Sequence, residues 1–288
     1  MKKTGIKTNT FREKSCFNRI NKINIYELYH RNSELNSVSL YKFSEGIEKA
    51  ISDDGFLEAI CEEKKLYNDC STINMPDPNP NLTELNLFDV LYKRRSVRKF
   101  DKSKPVNLEE LSTILFYSGG IMGKYEPFQN KPKCNLFAFP SAGGLVPTDI
   151  YFFVTNVEGL DSGIYYYNPY EHNLKIIDKG FSPQDYRKIT GSYNLAVNSS
   201  FVVYILGDME LTGYKYGDRG YRFMNLEAGH LAQNLYLTST AIGAGAVASG
   251  GFLDKEILEM LKLRDVGIFV LYEIIIGKPD LRVDYRFL

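Results

Sequence analysis

Apolar residues spaced three and four apart over Leu40–Ile51 and Asp54–Tyr67 predict two helices within a polar stretch rich in Asn, Lys, Ser and Glu. The run MPDPNPN, Met75 to Asn81, then places three prolines where neither helix nor strand continues. The main boundary is expected there, dividing the chain into a partly helical region 1–80 and a domain 81–288. Beyond it, Leu85–Lys93 reads as a helix. Asn107–Ser118 reads as another, entered from Pro105, with Asn107 as N-cap and Glu110 as its capping-box partner.

Strand patterns follow. Asp149–Thr155 carries IYFFV. Gly163–Asn168 (GIYYYN), a turn, and Leu174–Ile177 read as two further strands, and Phe201–Leu206 (FVVYIL) as a buried one. Pro183–Thr190 predicts a short helix. Leu226–Ile242 is the clearest helix: Ala228, Leu231, Ala232, Leu235 and Ile242 form one stripe, and Glu227, His230 and Asn234 share another face. Leu253–Leu261 predicts one more helix, and Gly267–Ile276 (GIFVLYEIII) a long final strand. Strands and helices are mixed around a hairpin, which predicts an α+β fold.

Composition narrows the function classes. The chain has 288 residues, 44% hydrophobic and 24% charged, so it can build a full core and is not a disordered polymer. Thirty-five basic residues balance 35 acidic ones, which argues against a protein built to coat nucleic acid or an anionic membrane. The basic residues Lys2, Lys3, Lys7, Arg12, Lys14 and Arg19 read as a solvated tail. No apolar segment follows them, so no signal peptide is expected. Val266–Gly277 is too short to span a bilayer and contains Glu273. Cys16, Cys61, Cys70 and Cys134 form no C-x-x-C pair, and reduced thiols in a cytoplasm are expected. Trp is absent, whereas Tyr (21) and Phe (18) abound, so flat rings in the FF and YYY runs and in KYGDRGYRF could pack on a flat ligand.

Several motifs fail. Gly243–Gly250 looks like a dinucleotide fingerprint, but its third glycine is misplaced and it follows a helix. There is no phosphate-loop motif and no G-x-S-x-G, and His30, His172 and His230 lack metal-ligand spacing. His230 reads as a core histidine bonded to backbone.

Three blocks remain. Arg94-Arg95-Ser96-Val97-Arg98 sets three guanidiniums and a hydroxyl within five residues; guanidinium forks suit phosphate, although an isolated block of this kind is more often a solvated basic turn. Pro140-Ser141-Ala142-Gly143-Gly144 is small enough for a ligand to lie against backbone N–H groups, and equally reads as a plain loop. Lys215-Tyr216-Gly217-Asp218-Arg219-Gly220-Tyr221-Arg222-Phe223 reads as a cationic, aromatic loop whose Lys and Tyr could handle protons, or as a solvated loop whose charges cancel.

In this order, and with the later Ser249-Gly250-Gly251-Phe252, the blocks resemble the SagB/McbC type of the nitroreductase-like flavoprotein family over about residues 86–288. A looser likeness lies in Ile25–Ser33. The resemblance implies a mixed or antiparallel central sheet flanked by helices. It also implies a homodimer with exchanged C-terminal strands, the Leu226–Ile242 helix at the interface, and FMN bound there. Arg94, Arg95, Ser96 and Arg98 would hold the FMN phosphate and ribityl chain. Pro140, Ser141, Ala142 and Gly143 would line the flavin, and Gly250 and Gly251 would face its ring near N5. Lys215 and Tyr216 would carry the proton chemistry, and Lys278 or Arg286 would add a phosphate contact.

The implied reaction is oxidation of thiazoline or oxazoline rings to thiazoles or oxazoles in a ribosomally made peptide. The implied partners are the azoline-containing precursor peptide, a cyclodehydratase and a leader-binding protein. The chain departs from the pattern at Val146, where the family often has Tyr, and at Tyr214, where Trp is expected. Rival readings are an NAD(P)H-dependent reductase of nitro compounds or quinones, and a non-catalytic scaffold of the peptide-modifying complex.

Overall fold

The computed structural model describes residues 25–126, 133–263 and 266–282. Backbone contacts separate a unit of residues 1–43 from a unit of residues 44–288, so the division precedes the proline run expected to mark it. The smaller unit holds helix α1 (Ile25–Asn32) and the start of α2 (Ser37–Ile51). The larger unit continues α2 and adds, in order, α3 (Asp54–Ala59), β1 (Thr72–Asn74), α4 (Leu87–Lys93), α5 (Leu108–Gly119), β2 (Ile121–Tyr125), β3 (Cys134–Phe137), β4 (Thr148–Val154), β5 (Gly163–Asn168), β6 (Asn173–Asp178), β7 (Phe201–Asp208), α6 (Glu210–Tyr216), α7 (Arg219–Ala241), β8 (Gly245–Ser249), α8 (Asp254–Met260) and β9 (Ile268–Gly277).

Seven strands form one sheet in the order β1-β6-β5-β4-β7-β9-β8, with every neighbouring pair antiparallel. The expected α+β fold is therefore present. Both faces of the sheet are buried, which is why its strands read as continuous apolar runs. Ile150, Phe152 and Val154 of β4 join Phe201, Val203 and Ile205 of β7 beneath Leu111 and Leu115 of α5 and Leu231 and Leu235 of α7. The alternate residues, Tyr151 and Phe153 with Val202 and Tyr204, meet Tyr186 and, from α8, Ile257 on the other face. The FF and YYY rings are thus core, not ligand platforms. Their phenols are bonded: Tyr165 Oη donates to the Asp161 carbonyl at 2.7 Å and Tyr166 Oη to Asp149 Oδ1 at 3.3 Å.

The Asn107–Glu110 capping box forms at the start of α5 as expected. Other expectations change. The helix from Asp54 stops at Ala59 instead of reaching Tyr67, and Pro183–Lys188 is a 3-10 helix. KYGDRGYRF is not a loop: α6 ends at Tyr216, Gly217 turns the chain at φ 56°, and α7 starts at Arg219, seven residues before its expected start at Leu226. Within α7, Glu227 lies on the buried side, while His230 is exposed and is no core histidine. The β2–β3 hairpin and β8 were not foreseen. Strand β9 pairs with β7 on one side and β8 on the other, so its hydrogen-bonding edges are already filled within the chain.

Cys61 and Cys134, 73 residues apart, are joined by a disulfide with Cα atoms 4.4 Å apart, while Cys70 is free. The expected set of reduced thiols is corrected, because only folding brings these two together. Among the described residues no helix is long and apolar enough to cross a membrane, and no cluster of His, Cys, Asp and Glu could hold a metal ion.

Within the larger unit, residues 53–64 pack on the Leu145 loop, α6 and β4. Phe56 and Leu57 of α3 cluster with Leu145, and Tyr216 packs against them. Tyr214 Oη donates to Asp53 at 2.8 Å. Lys64 Nζ pairs with Asp149 Oδ2 at 2.8 Å, with the two side chains 27% and 13% exposed. Burial pulls the Lys64 ammonium pKa down, but the Asp149 carboxylate outweighs this and the net direction is up. A raised lysine pKa stabilises the fold below the unfolded value of 10.5 and loses that contribution as pH rises through the folded value. Replacing Lys64 by Met strands the Asp149 carboxylate, so urea denaturation near neutral pH should show a loss of about 2 kcal/mol.

Candidate active site

Two clusters of chemically capable residues form, one at each end of the sheet. The first is built around Gly143. Ala142–Gly144 makes a single 3-10 turn in which Gly143 has φ 64° and Gly144 φ 68°, and Val146 follows at φ 45°. The left-handed region costs glycine nothing and strains a β-branched residue, so this loop stores strain at Val146. Ser141 Oγ holds the turn shut by accepting from Val146 N at 2.9 Å.

Gly143 is needed for a second reason. A Cβ placed on it would run into Tyr216 Oη and Lys215 Nζ, so the loop backbone lies directly against both functional groups. Lys215 and Tyr216 sit on the last turn of α6, and both are partly buried. The Tyr216 ring meets Phe223 edge-on at 5.0 Å, and Lys215 Nζ lies 5.2 Å from the Tyr216 ring centre. Burial pushes the Lys215 ammonium pKa below its ordinary 10.5 and the Tyr216 phenol pKa above its ordinary 10.0. An amine that loses its proton readily thus stands beside a phenol that keeps its own. A pocket in front of the loop is lined by Pro140, Ser141, Gly144 and Val146 on one side and by Tyr125, Asn135 and Phe137 of the hairpin on the other.

Glu227 of α7, 2% exposed, underlies this loop. Its Oε1 accepts from Thr148 Oγ1 at 2.6 Å and from Thr148 N at 3.3 Å, and the Ser141 hydroxyl also bonds it. Burial raises its carboxyl pKa, against the pull of Ser141 and Thr148. Sequence reasoning placed Glu227 on the wrong face. The available signal was its position one turn before Leu231, on the apolar stripe.

The second cluster lies along β8. Ser96 makes a parallel bridge to Ala246, and Val97 N donates to the Ala246 carbonyl at 2.9 Å. Tyr236 of α7, which drew no attention in the sequence, organises the group. Its Oη accepts from Ala248 N at 2.6 Å and lies 3.4 Å from Ser96 Oγ, while the Arg94 guanidinium sits over its ring at 5.5 Å. Arg95 donates to the Tyr92 and Arg94 carbonyls at 2.7 Å, and Arg98 to the Ser96 carbonyl at 3.4 Å. Among the described residues none of these three arginines pairs with a carboxylate. Gly250 and Gly251 follow β8 and are exposed. Lys278, beyond the end of β9, is engaged by Glu110 and the Ile242 carbonyl, so its ammonium is already neutralised. Arg286 lies outside the described residues.

The clusters do not meet within one chain. Ala246 pairs with Ile276, and Ile276 with Phe201 at the start of β7. Gly143 leads into Thr148, which pairs with Gly207 near the other end of that strand. Six residues of extended chain separate the two ends by roughly 20 Å.

The chain belongs to the nitroreductase family, whose model matches residues 91–278. It is 36% identical over 193 residues to the Methanocaldococcus jannaschii protein MJ1384, named for the same family, covering 67% of this chain and 92% of that one. It is 28% identical to the trifolitoxin operon protein TfxC of Rhizobium leguminosarum bv. trifolii over 178 residues, 57% of this chain. It is also 28% identical to the microcin B17-processing protein McbC of Escherichia coli over 131 residues, 43% of this chain. The chain spans about half the length of these last two, 48% of each. A crystal structure of a nitroreductase-type protein from Anabaena variabilis superposes with a TM-score of 0.62 at 26% identity, covering 76% of this chain and 44% of that one.

Glu227→Ala should leave Thr148 Oγ1 and N–H buried without their acceptor. A stability loss of about 2–3 kcal/mol is expected by chemical denaturation, with Glu227→Gln milder because one oxygen remains.

Proposed function

We propose that this nitroreductase-family protein is an FMN-dependent oxidoreductase that converts azoline rings of a ribosomally made peptide into azoles. The observation that carries the reading is the placement of Lys215 Nζ and Tyr216 Oη against the left-handed backbone of Gly143. The similarity to McbC and TfxC supports a substrate of this kind.

The residues fit FMN. Arg94, Arg95 and Arg98, free of carboxylate partners among the described residues, suit a phosphate dianion, with Ser96 as a hydroxyl beside them. Pro140, Ser141, Ala142 and Gly143 present a surface without bulky side chains, as a flat ring requires. Gly250 and Gly251 are exposed and open. Because the two clusters are roughly 20 Å apart in one chain, a second copy would bring its Gly143 loop to the arginines of the first. Exposed apolar residues near the second cluster support such a homodimer: Leu87, Phe88, Leu91 and Tyr92 of α4 are 59%, 79%, 46% and 79% exposed.

Making an azole from an azoline removes a hydride and a proton. Accepting the hydride is the chemistry that FMN supplies when bound and that no side chain can supply. The proton falls to this chain. Lys215, with its pKa lowered by burial, takes the ring proton as general base. Tyr216, with its pKa raised, stays protonated and orients the ring by hydrogen bonding. The Gly143 backbone leaves both groups room to reach it. The precursor peptide must first acquire its azoline, so a cyclodehydratase and a leader-binding protein are the proposed partners.

Lys215→Ala should slow azole formation about 100- to 10,000-fold, read from the peptide mass, while the visible flavin band remains. Full turnover in that variant would remove Lys215 from the mechanism. In the unmodified protein, kcat/KM should rise with pH and level off below 10.5, the ordinary lysine value, because the amine must be neutral to act.

A second reading, an NAD(P)H-dependent reductase of nitro compounds or quinones, is favoured by the 36% identity to MJ1384. Anaerobic mixing with NAD(P)H separates the two. Rapid bleaching of the flavin supports the reductase, and an unchanged spectrum supports the azoline oxidase.

A further inference from the structure

Glu273, in the middle of β9, is 0% exposed and faces no cation among the described residues. Such a carboxylate is costly to bury unless hydrogen bonds surround it. Here hydroxyls do. Tyr204 Oη donates to Oε2 at 2.6 Å and Thr190 Oγ1 to Oε1 at 3.0 Å, and Ser249 and Ser192 also bond it. These hydroxyls in turn grip one turn of backbone, Ser249-Gly250-Gly251-Phe252.

The donor directions follow from the carboxylate. An ionised carboxylate only accepts, so Tyr204 and Thr190 spend their protons on it, while the Ser192 and Ser249 hydroxyls, 2.8 Å apart, donate to it or one to the other. Thr190 Oγ1 then accepts from Ser192 N at 2.9 Å, and Ser249 Oγ accepts from Gly251 N at 3.0 Å. The Gly251 carbonyl accepts from Gly191 N at 2.6 Å. Gly251 is therefore pinned at both its N–H and its carbonyl. Gly250 is left exposed, with open space where a side chain would stand.

We infer that Glu273 is a positioning residue: acting through Thr190, Ser192 and Ser249, it locks the Gly250–Gly251 turn so that the Gly250 backbone presents a fixed face to the flat ring of a bound ligand. This rests on the FMN reading for the ligand, but not for the lock itself. Gln at this position keeps the shape but turns one of the two acceptor atoms into a two-proton donor, so a hydroxyl facing that atom loses its acceptor and the bonds that fix Thr190 and Ser249 weaken.

The test is Glu273→Gln with two readouts. Without cofactor, amide hydrogen exchange at Gly251 and Gly191 should quicken roughly three- to tenfold, the effect of weakening one hydrogen bond. Ser249→Ala should reproduce the change at Gly251 while leaving Glu273 in place. With FMN added, the visible absorption band of the bound flavin should shift in Glu273→Gln, and Glu273→Asp should restore it in part. Exchange unchanged within twofold would overturn the lock. Faster exchange with an unmoved flavin band would make Glu273 a purely structural residue and overturn the positioning role. If Glu273→Gln does not fold, Thr190→Val, which removes only the linking hydroxyl, decides by the same readouts. Failure of the unmodified protein to bind FMN would count against the flavin reading, while the exchange result still judges the lock.

Discussion

Burial of the central sheet on both faces is the constraint on which the larger unit depends. Strands β4, β5 and β7 have no solvent face, so every side chain along them must be apolar or find a partner inside. Tyrosine meets this demand by filling volume as phenylalanine does while reaching a carbonyl or carboxylate with its phenol. Tyr165, Tyr186 and Tyr204 all do so. The aromatic excess of the composition is therefore mainly an account of sheet packing.

The polar exceptions to that burial lie beneath exposed loops. Two carboxylates, Glu227 and Glu273, are almost wholly buried, and each is surrounded by hydroxyls in place of a cation. Each also supports a stretch of glycine-containing backbone outside the core: Glu227 the Ser141–Thr148 loop, Glu273 the Ser249–Phe252 turn. A rigid, hydroxyl-ligated carboxylate beneath an exposed loop is a way to preorganise backbone without placing a charge in the site itself.

Zero net charge also takes on structure. The arginines at 94, 95 and 98 face no carboxylate among the described residues, whereas Lys64, Lys188 and Lys278 are paired locally. The cluster thus carries positive charge without a carboxylate partner among the described residues. Strand register makes the distance between this cluster and Lys215–Tyr216 unavoidable, since one sits at each end of β7.

The sequence alone determined the α+β class, the strand cores of IYFFV, GIYYYN and FVVYIL, the Asn107–Glu110 cap and the blocks holding Arg94–Arg98, Ser141–Gly143 and Lys215–Tyr216. These are local patterns, set by periodicity and by the chemistry of adjacent residues. Tertiary structure decided what sequence separation hides. Gly143 meets Lys215 and Tyr216 across some seventy residues only because the start of β4 and the helix α6 lie at the same end of the sheet. Cys61 reaches Cys134 only when α3 packs beside the hairpin. Glu227 turns inward because its partners Thr148 and Ser141 come from another element, and Lys278 meets Glu110 only in the folded chain. The KYGDRGYRF segment became helical because Gly217 can turn the chain and packing supports the turns on either side, which propensity in a charged, glycine-rich run does not reveal.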